Sequence, residues 1–323
     1  MIQLVLLEGD LKMNKENIAL PVSTTKTKVV RRKKKNLLTP WLFLLPSILV
    51  LGTFLVIPIV EAFHWSLLDY KIIAGTGEFV GLANFKEIFT DTSFWLALWN
   101  TILFLIIVLP LNIFLPMILA VLVNQTIKGV STFRILYYLP VVTPMVVAAL
   151  MWKMLYSQSG PVSSIFVSLG LFDNPTNLLV QSSTALVAVS AITVWKGLGY
   201  YMIIYLAGLQ SISKDVYESA EIDGANAFQK FWRITVPMLT PSVTLVSVMT
   251  IIAGMKVFEE IALTTGGGPA GATTTLVMYI YKKFMSLDVS IASAAGVVLL
   301  LLAIGASLLQ MKLTSSREED LRA

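Results

Sequence analysis

Six stretches of the chain run almost free of charge for about the length of a membrane crossing, with polar segments between them. Trp41 to Val60 follows the basic run Arg31–Lys35. No charge occurs from Thr92 to Ile127, which accommodates one long tilted span from about Trp95 to Val123. Ile135–Trp152 is the third stretch, and Ala185–Leu209, interrupted by Lys196, is the fourth. Ser242–Leu263 is the fifth, with Lys256, Glu259 and Glu260 in its second half, and Val289–Met311 is the sixth. Each is expected to be helical, because an open strand in hydrocarbon leaves backbone groups unpaired. The pattern predicts an all-α polytopic membrane protein of six transmembrane helices.

Composition agrees. The 323 residues are 56% hydrophobic and 13% charged, with a mean hydropathy of +0.79. Soluble domains carry roughly 25% charge, so these residues cannot clothe a water-facing globule. Disorder of the whole chain is excluded by the same imbalance.

Charge changes the picture in one respect. The first 40 residues carry +6, where nine Lys/Arg face Glu8, Asp10 and Glu16; the other 283 residues sum to −1, which gives the net +5. A basic segment beside a span reads as an orientation signal rather than a nucleic-acid site. Of the other Lys/Arg, most of those in loops fall on the same side as this segment, and only Lys71, Lys86, Lys282 and Lys283 fall opposite. Both termini are therefore expected in the cytoplasm. The expected divisions are a largely disordered cytoplasmic tail at 1–36, a six-helix transmembrane domain at 37–313, and a cytoplasmic tail at 314–323.

Candidate chemistry is sparse. No Cys is present and His64 is the only His, so no catalytic or metal site is expected. Gly266–Thr273 (GGGPAGAT) nearly matches a phosphate loop, but Ala272 occupies the position of the essential Lys. Gly197–Leu198–Gly199 lacks the third Gly of a dinucleotide motif. No nucleotide site is expected in this chain.

The polar segment 211–241 is the informative loop. Ser213 is placed to cap a helix with Asp215 in its first turn. Gly224 permits a sharp bend. Phe228, Phe231, Trp232 and Ile234 then resume an apolar face before Pro237 and Pro241. The expected form is a short helix, a glycine bend and a second short helix at the membrane surface.

This segment resembles the "EAA" loop of ATP-binding-cassette (ABC) importer permeases. The matching residues are Glu218–Ser219–Ala220, Asp223–Gly224–Ala225, Phe228, Phe231, Ile234, Pro237 and Pro241, with Ser219 in place of the motif's first Ala. Leu206–Gln210, Gly266–Pro269, Thr275–Leu276, Tyr279–Tyr281, Trp41 and Pro46 resemble the maltose-permease-like first subunit of carbohydrate importers, over about residues 38–313.

The resemblance implies a type I ABC importer permease fold in a bacterial cytoplasmic (inner) membrane, with a cytoplasmic coupling helix. It implies a second related permease subunit, two ATPase subunits that bind ATP and Mg, an extracytoplasmic solute-binding protein, and a sugar or oligosaccharide as solute. It assigns ATPase coupling to Glu218, Ser219, Ala220, Asp223, Gly224 and Ala225. Glu218 and Glu221 are expected to face bases on the partner.

Polar residues inside spans mark the solute path, because lipid excludes them. Thr193, Lys196, Gly197 and Tyr200 share one face of the fourth span, and Thr250, Gly254 and Val257 one face of the fifth. They correspond approximately to sugar-site positions of maltose-permease-like subunits. Lys196 and Lys256 suggest an acidic solute, unless Glu259 or Glu260 neutralises them. The alternative class is an ion-coupled secondary transporter that uses Lys196 and these carboxylates as a relay.

Overall fold

The computed structural model describes residues 38–125 and 129–322. The basic segment 1–36 lies outside them. Two compact units divide after Gly52. The first contains α1 (Leu38–Leu51), whose side chains from Trp41 onward are exposed and, Ser47 apart, apolar. Such a helix is suited to lipid rather than water.

The division falls within a π-helical turn, Gly52–Val56, and the second unit goes on with α2 (Ile57–Trp65). A small antiparallel hairpin follows, β1 (Leu68–Lys71) and β2 (Thr76–Phe79), with Leu68 opposite Phe79. It is the one departure, among the described residues, from the expected all-helical chain. After α3 (Ala83–Thr90), Asp91 caps α4 (Thr92–Val123), its carboxylate accepting from the Ser93 N–H at 2.8 Å. The 32 residues of α4 extend about 48 Å, well beyond a hydrocarbon core of about 30 Å.

The expected third span is not straight. α5 (Val130–Val142) and α6 (Met145–Leu155) meet at a bend of 100°. Pro144 disfavours a helical conformation for the residue before it, and Thr143 is extended, at φ −70 and ψ 125. α7 (Pro161–Ser168) leads to the unbroken α8 (Ala185–Gln210). The polar loop holds α9 (Lys214–Ile222), α10 (Ala227–Lys230), a π turn at Phe231–Thr235, and α11 (Val236–Met238). α12 (Thr240–Met255) follows across a 68° bend.

The expected fifth span is likewise cut short. Lys256, Val257 and Phe258 leave the helix, and α13 (Glu259–Thr264) starts anew. α14 (Leu276–Met285) and α15 (Val289–Arg322) complete the chain, α15 continuing well past Met311. Trp41–Trp65, Thr92–Val123, Ala185–Gln210 and Val289–Thr314 are each long and apolar enough to cross a membrane, and the number reaches six if each of the two bent pairs is one span.

α4 lies at the centre, packed along α8 and against α12 and α14. Lipid is as apolar as the side chains, so helices associate through close packing more than through the hydrophobic effect. Gly199 illustrates this: a Cβ there would strike the Tyr137 carbonyl of α5, so only glycine admits that backbone. Two buried clusters line the α4–α8 contact. One gathers Phe104, Val108, Val189 and Ile192; the other gathers Met117, Ala120, Tyr201 and Tyr205. The near-phosphate loop is structural. Asn100 Nδ2 donates to the Gly271 and Thr274 carbonyls at 2.9 and 3.0 Å, and Thr273 and Thr274 hydroxyls donate to the Gly268 and Gly267 carbonyls.

Candidate functional site

Between those two clusters, at the midpoints of α4 and α8, lies a cavity of about 220 Å³. α8 contributes Thr193, Lys196, Gly197 and Tyr200, which the 3.6-residue repeat brings to one face. α12 contributes Thr250 and Gly254. Six of the seven expected pathway residues therefore line one space. Val257 does not: it lies past the end of α12, is 4% exposed, and packs into the Phe104 cluster. Its carbonyl accepts from the Thr275 hydroxyl at 3.2 Å.

α4 supplies a polar lining residue that sequence reasoning did not select, Asn112, and α13 supplies Glu260, which was expected only as a partner for the intramembrane lysines. Asn112 is 2% exposed, and its Oδ1 accepts no hydrogen bond from the protein. Thr250 is 1% exposed and its hydroxyl makes no hydrogen bond of ordinary geometry, although the Tyr201 hydroxyl lies beside it. Gly197 keeps space beside this pair, since a Cβ there would come within 3.2 Å of Asn112 Oδ1 and 3.0 Å of the Tyr201 ring. Buried polar atoms left open are costly, and at a cavity wall they are available to a ligand. An Asn inside a charge-free stretch was the available signal.

The charged lining residues are Lys196 and Glu260. Lys196 Nζ donates to the Thr143 carbonyl at 2.7 Å. Thr193 Oγ1 is 3.5 Å from Glu260 Oε1. Lys256 and Glu259 are exposed and off the cavity. The expected pair of intramembrane cations thus reduces, at the cavity, to one lysine facing one carboxylate.

The polar loop forms a knob. Ser213 caps α9 by accepting from the Asp215 N–H at 3.3 Å. Gly224, at φ +77, makes the turn, and the Ala225 N–H closes it onto the Ala220 carbonyl at 2.9 Å. Asn226 and Gln229 cap α10 reciprocally, each bond 2.9 Å. Tyr217 and Thr235 hydroxyls meet at 3.1 Å across the knob.

Glu218, Ser219, Asp223 and Gly224 are exposed, as are the large apolar Ile222 and Phe228; Ala220 faces inward and Ala225 is half-buried. Glu221 is bound to Lys230 at 2.6 Å. Glu218 has no ion pair among the described residues.

A bundle of bent and straight apolar helices, a polar cavity at mid-span and an ordered surface knob define a membrane permease. Residues 128–316 match the family described as "Binding-protein-dependent transport system inner membrane component". The chain belongs to that family.

It is 33% identical to the probable ABC transporter permease protein YurN of Bacillus subtilis (strain 168), over 88% of this chain and 99% of that one. It is 32% identical to the lactose transport system permease protein LacF of Rhizobium radiobacter, over 82% and 90%. A solved bacterial ABC transporter involved in import of the acidic polysaccharide alginate contains a chain of similar fold, with TM-score 0.74 and 26% identity, over 86% of this chain and 95% of that one. The expected type I ABC importer permease fold is borne out by these likenesses.

Proposed function

We propose that this chain is the transmembrane permease subunit of a binding-protein-dependent ABC importer that moves a sugar or oligosaccharide into the cytoplasm, coupled to a separate ATPase through the knob at Glu218–Ala225. The observation that carries this reading is the combination, in one chain, of a mid-span polar cavity with a capped, solvent-facing knob. Family membership supports it. The names of the relatives, one for lactose and one for alginate, support a carbohydrate as solute.

In this reading a binding protein delivers the solute to the outer mouth, and a second permease supplies the facing wall of the path. About 220 Å³ falls below the roughly 300–1,000 Å³ of a complete ligand pocket, as one wall of a shared site would. Two ATPase subunits bind ATP and Mg; this chain hydrolyses nothing. Their closure moves the knob, and α10–α11 transmit that movement through the 68° bend into α12, which carries Thr250 and Gly254. This is rigid-body alternating access about a site near mid-membrane. Both termini lie in the cytoplasm. No observation favours an ion-coupled relay: Lys196 is held by a backbone carbonyl.

Reconstitution of the complete complex in vesicles tests the proposal. Uptake of labelled sugar should require ATP, the ATPase and the binding protein together. Uptake that persists without ATP and follows an ion gradient would contradict it.

A further inference from the structure

We propose that the solute is uncharged, and that Lys196 serves as a strut for the broken α5–α6 span rather than as a counter-charge for the solute. This rests on the importer reading above and specifies the class of sugar that the cavity takes.

Position makes the argument. The lining contains one cationic and one acidic side chain, Lys196 and Glu260, so with both ionised its formal charge is zero. Lys196 already donates to the Thr143 carbonyl at 2.7 Å. That carbonyl sits where the helix breaks, and a break at membrane depth leaves carbonyls in need of donors. Glu260 presents a carboxylate toward the same space, with the Thr193 hydroxyl 3.5 Å away.

The other polar groups at this wall are neutral. Asn112 Oδ1 accepts no hydrogen bond from the protein, and the Thr250 hydroxyl lies beside that of Tyr201; Asn112 and Thr250 are both nearly fully buried. An amide oxygen accepts from a sugar hydroxyl, and a threonine hydroxyl both donates and accepts. An anionic sugar brought to this wall would meet Glu260 as well as Lys196, and the lysine is already bonded to the Thr143 carbonyl, so the wall offers an anion no net attraction.

The test uses the complete complex reconstituted with its binding protein, with a matched panel of neutral and uronate oligosaccharides as probes. Direct protection of the detergent-solubilised complex against thermal unfolding, measured without the binding protein, isolates the permease's own preference. Neutral probes should protect, and uronate probes should do so roughly tenfold more weakly or less.

Glu260→Gln, a near-isosteric change, should narrow that ratio. Lys196→Met should lower stability yet keep the preference for neutral probes. Uronate probes protecting as well as neutral ones, or Lys196→Met abolishing uronate recognition in particular, would overturn the inference while leaving the importer reading intact. ATPase stimulation by no sugar of either kind would instead sink the carbohydrate reading itself.

Discussion

Lys196 Nζ on α8 lies 2.7 Å from the Thr143 carbonyl at the break between α5 and α6. The bond joins the cavity wall to the one described span that bends by 100°. A proline-induced break and an intramembrane lysine, each unfavourable in lipid alone, satisfy one another. Lys196→Met removes the donor and leaves the carbonyl open. Hydrogen bonds to charged groups are worth about 1.5–3 kcal/mol, so the variant complex should unfold at a clearly lower temperature in a thermal scan, and Lys196→Arg should recover part of the loss.

The open wall beside Asn112 depends on the absence of a side chain at position 197. Gly197→Ala places a Cβ 3.2 Å from Asn112 Oδ1. Overpacking of this kind costs about 1–3 kcal/mol, and here it also covers the open acceptor proposed to meet the solute. Transport assays should show a raised apparent KM with basal ATP hydrolysis retained. Asn112→Leu should act the same way, by roughly twofold to tenfold for one neutral hydrogen bond.

How far this site was legible in the sequence follows from where helices continue. Thr193, Lys196, Gly197 and Tyr200 could be grouped because their spacing is local and α8 is unbroken. Val257 failed the same reasoning because α12 ends at Met255, so its face does not extend to 257. The α5–α6 break was not anticipated, although Pro144 carries a signal for it; nothing comparable marks Lys256–Phe258, where buried Val257 and Ile261 pack into the Phe104 cluster. Asn112 and Glu260 reach the cavity only through the packing of α4 and α13 onto α8, which no single stretch of sequence encodes.

A pH dependence is expected at the junction of α3, α4 and α14. Asp91 Oδ2 accepts from the Tyr279 hydroxyl at 2.8 Å and lies 3.5 Å from Lys283 Nζ. Burial pushes the Asp91 carboxyl up, but the bonds from Tyr279 and Ser93 and the charge of Lys283 outweigh it, and the net shift is downward. Burial, then Asp91 itself, pushes the Tyr279 hydroxyl up.

A carboxylate depressed in the folded state stabilises the fold above its unfolded pKa, about 3.9 for Asp, and loses that contribution as pH falls through the folded value. Melting temperatures measured from neutral pH down through this window should therefore fall more for the native chain than for Asp91→Asn. Parallel curves would remove Asp91 from the account.

Gly224 turns the knob at φ +77. A β-branched residue there costs about 1–2 kcal/mol of backbone strain and disturbs the turn that presents Glu218 and Asp223. Gly224→Val should still insert, since no span is altered, but should recover less ATPase on purification and lose solute-stimulated ATP hydrolysis. Gly224→Asn, which tolerates this conformation better, should retain more of both.

The Glu218–Ala225 knob is proposed as the contact with the ATPase, and a chain without Cys offers a clean probe of that contact. Asp223→Cys, on the exposed rim of the knob, provides the chain's single thiol. In the assembled complex, a short thiol crosslinker at this position should join the permease to the ATPase subunit, with a yield that changes between nucleotide-free and ATP-bound states. A variant that still transports solute, yet reacts freely with soluble thiol reagents in both states and never links to the ATPase, would contradict the account.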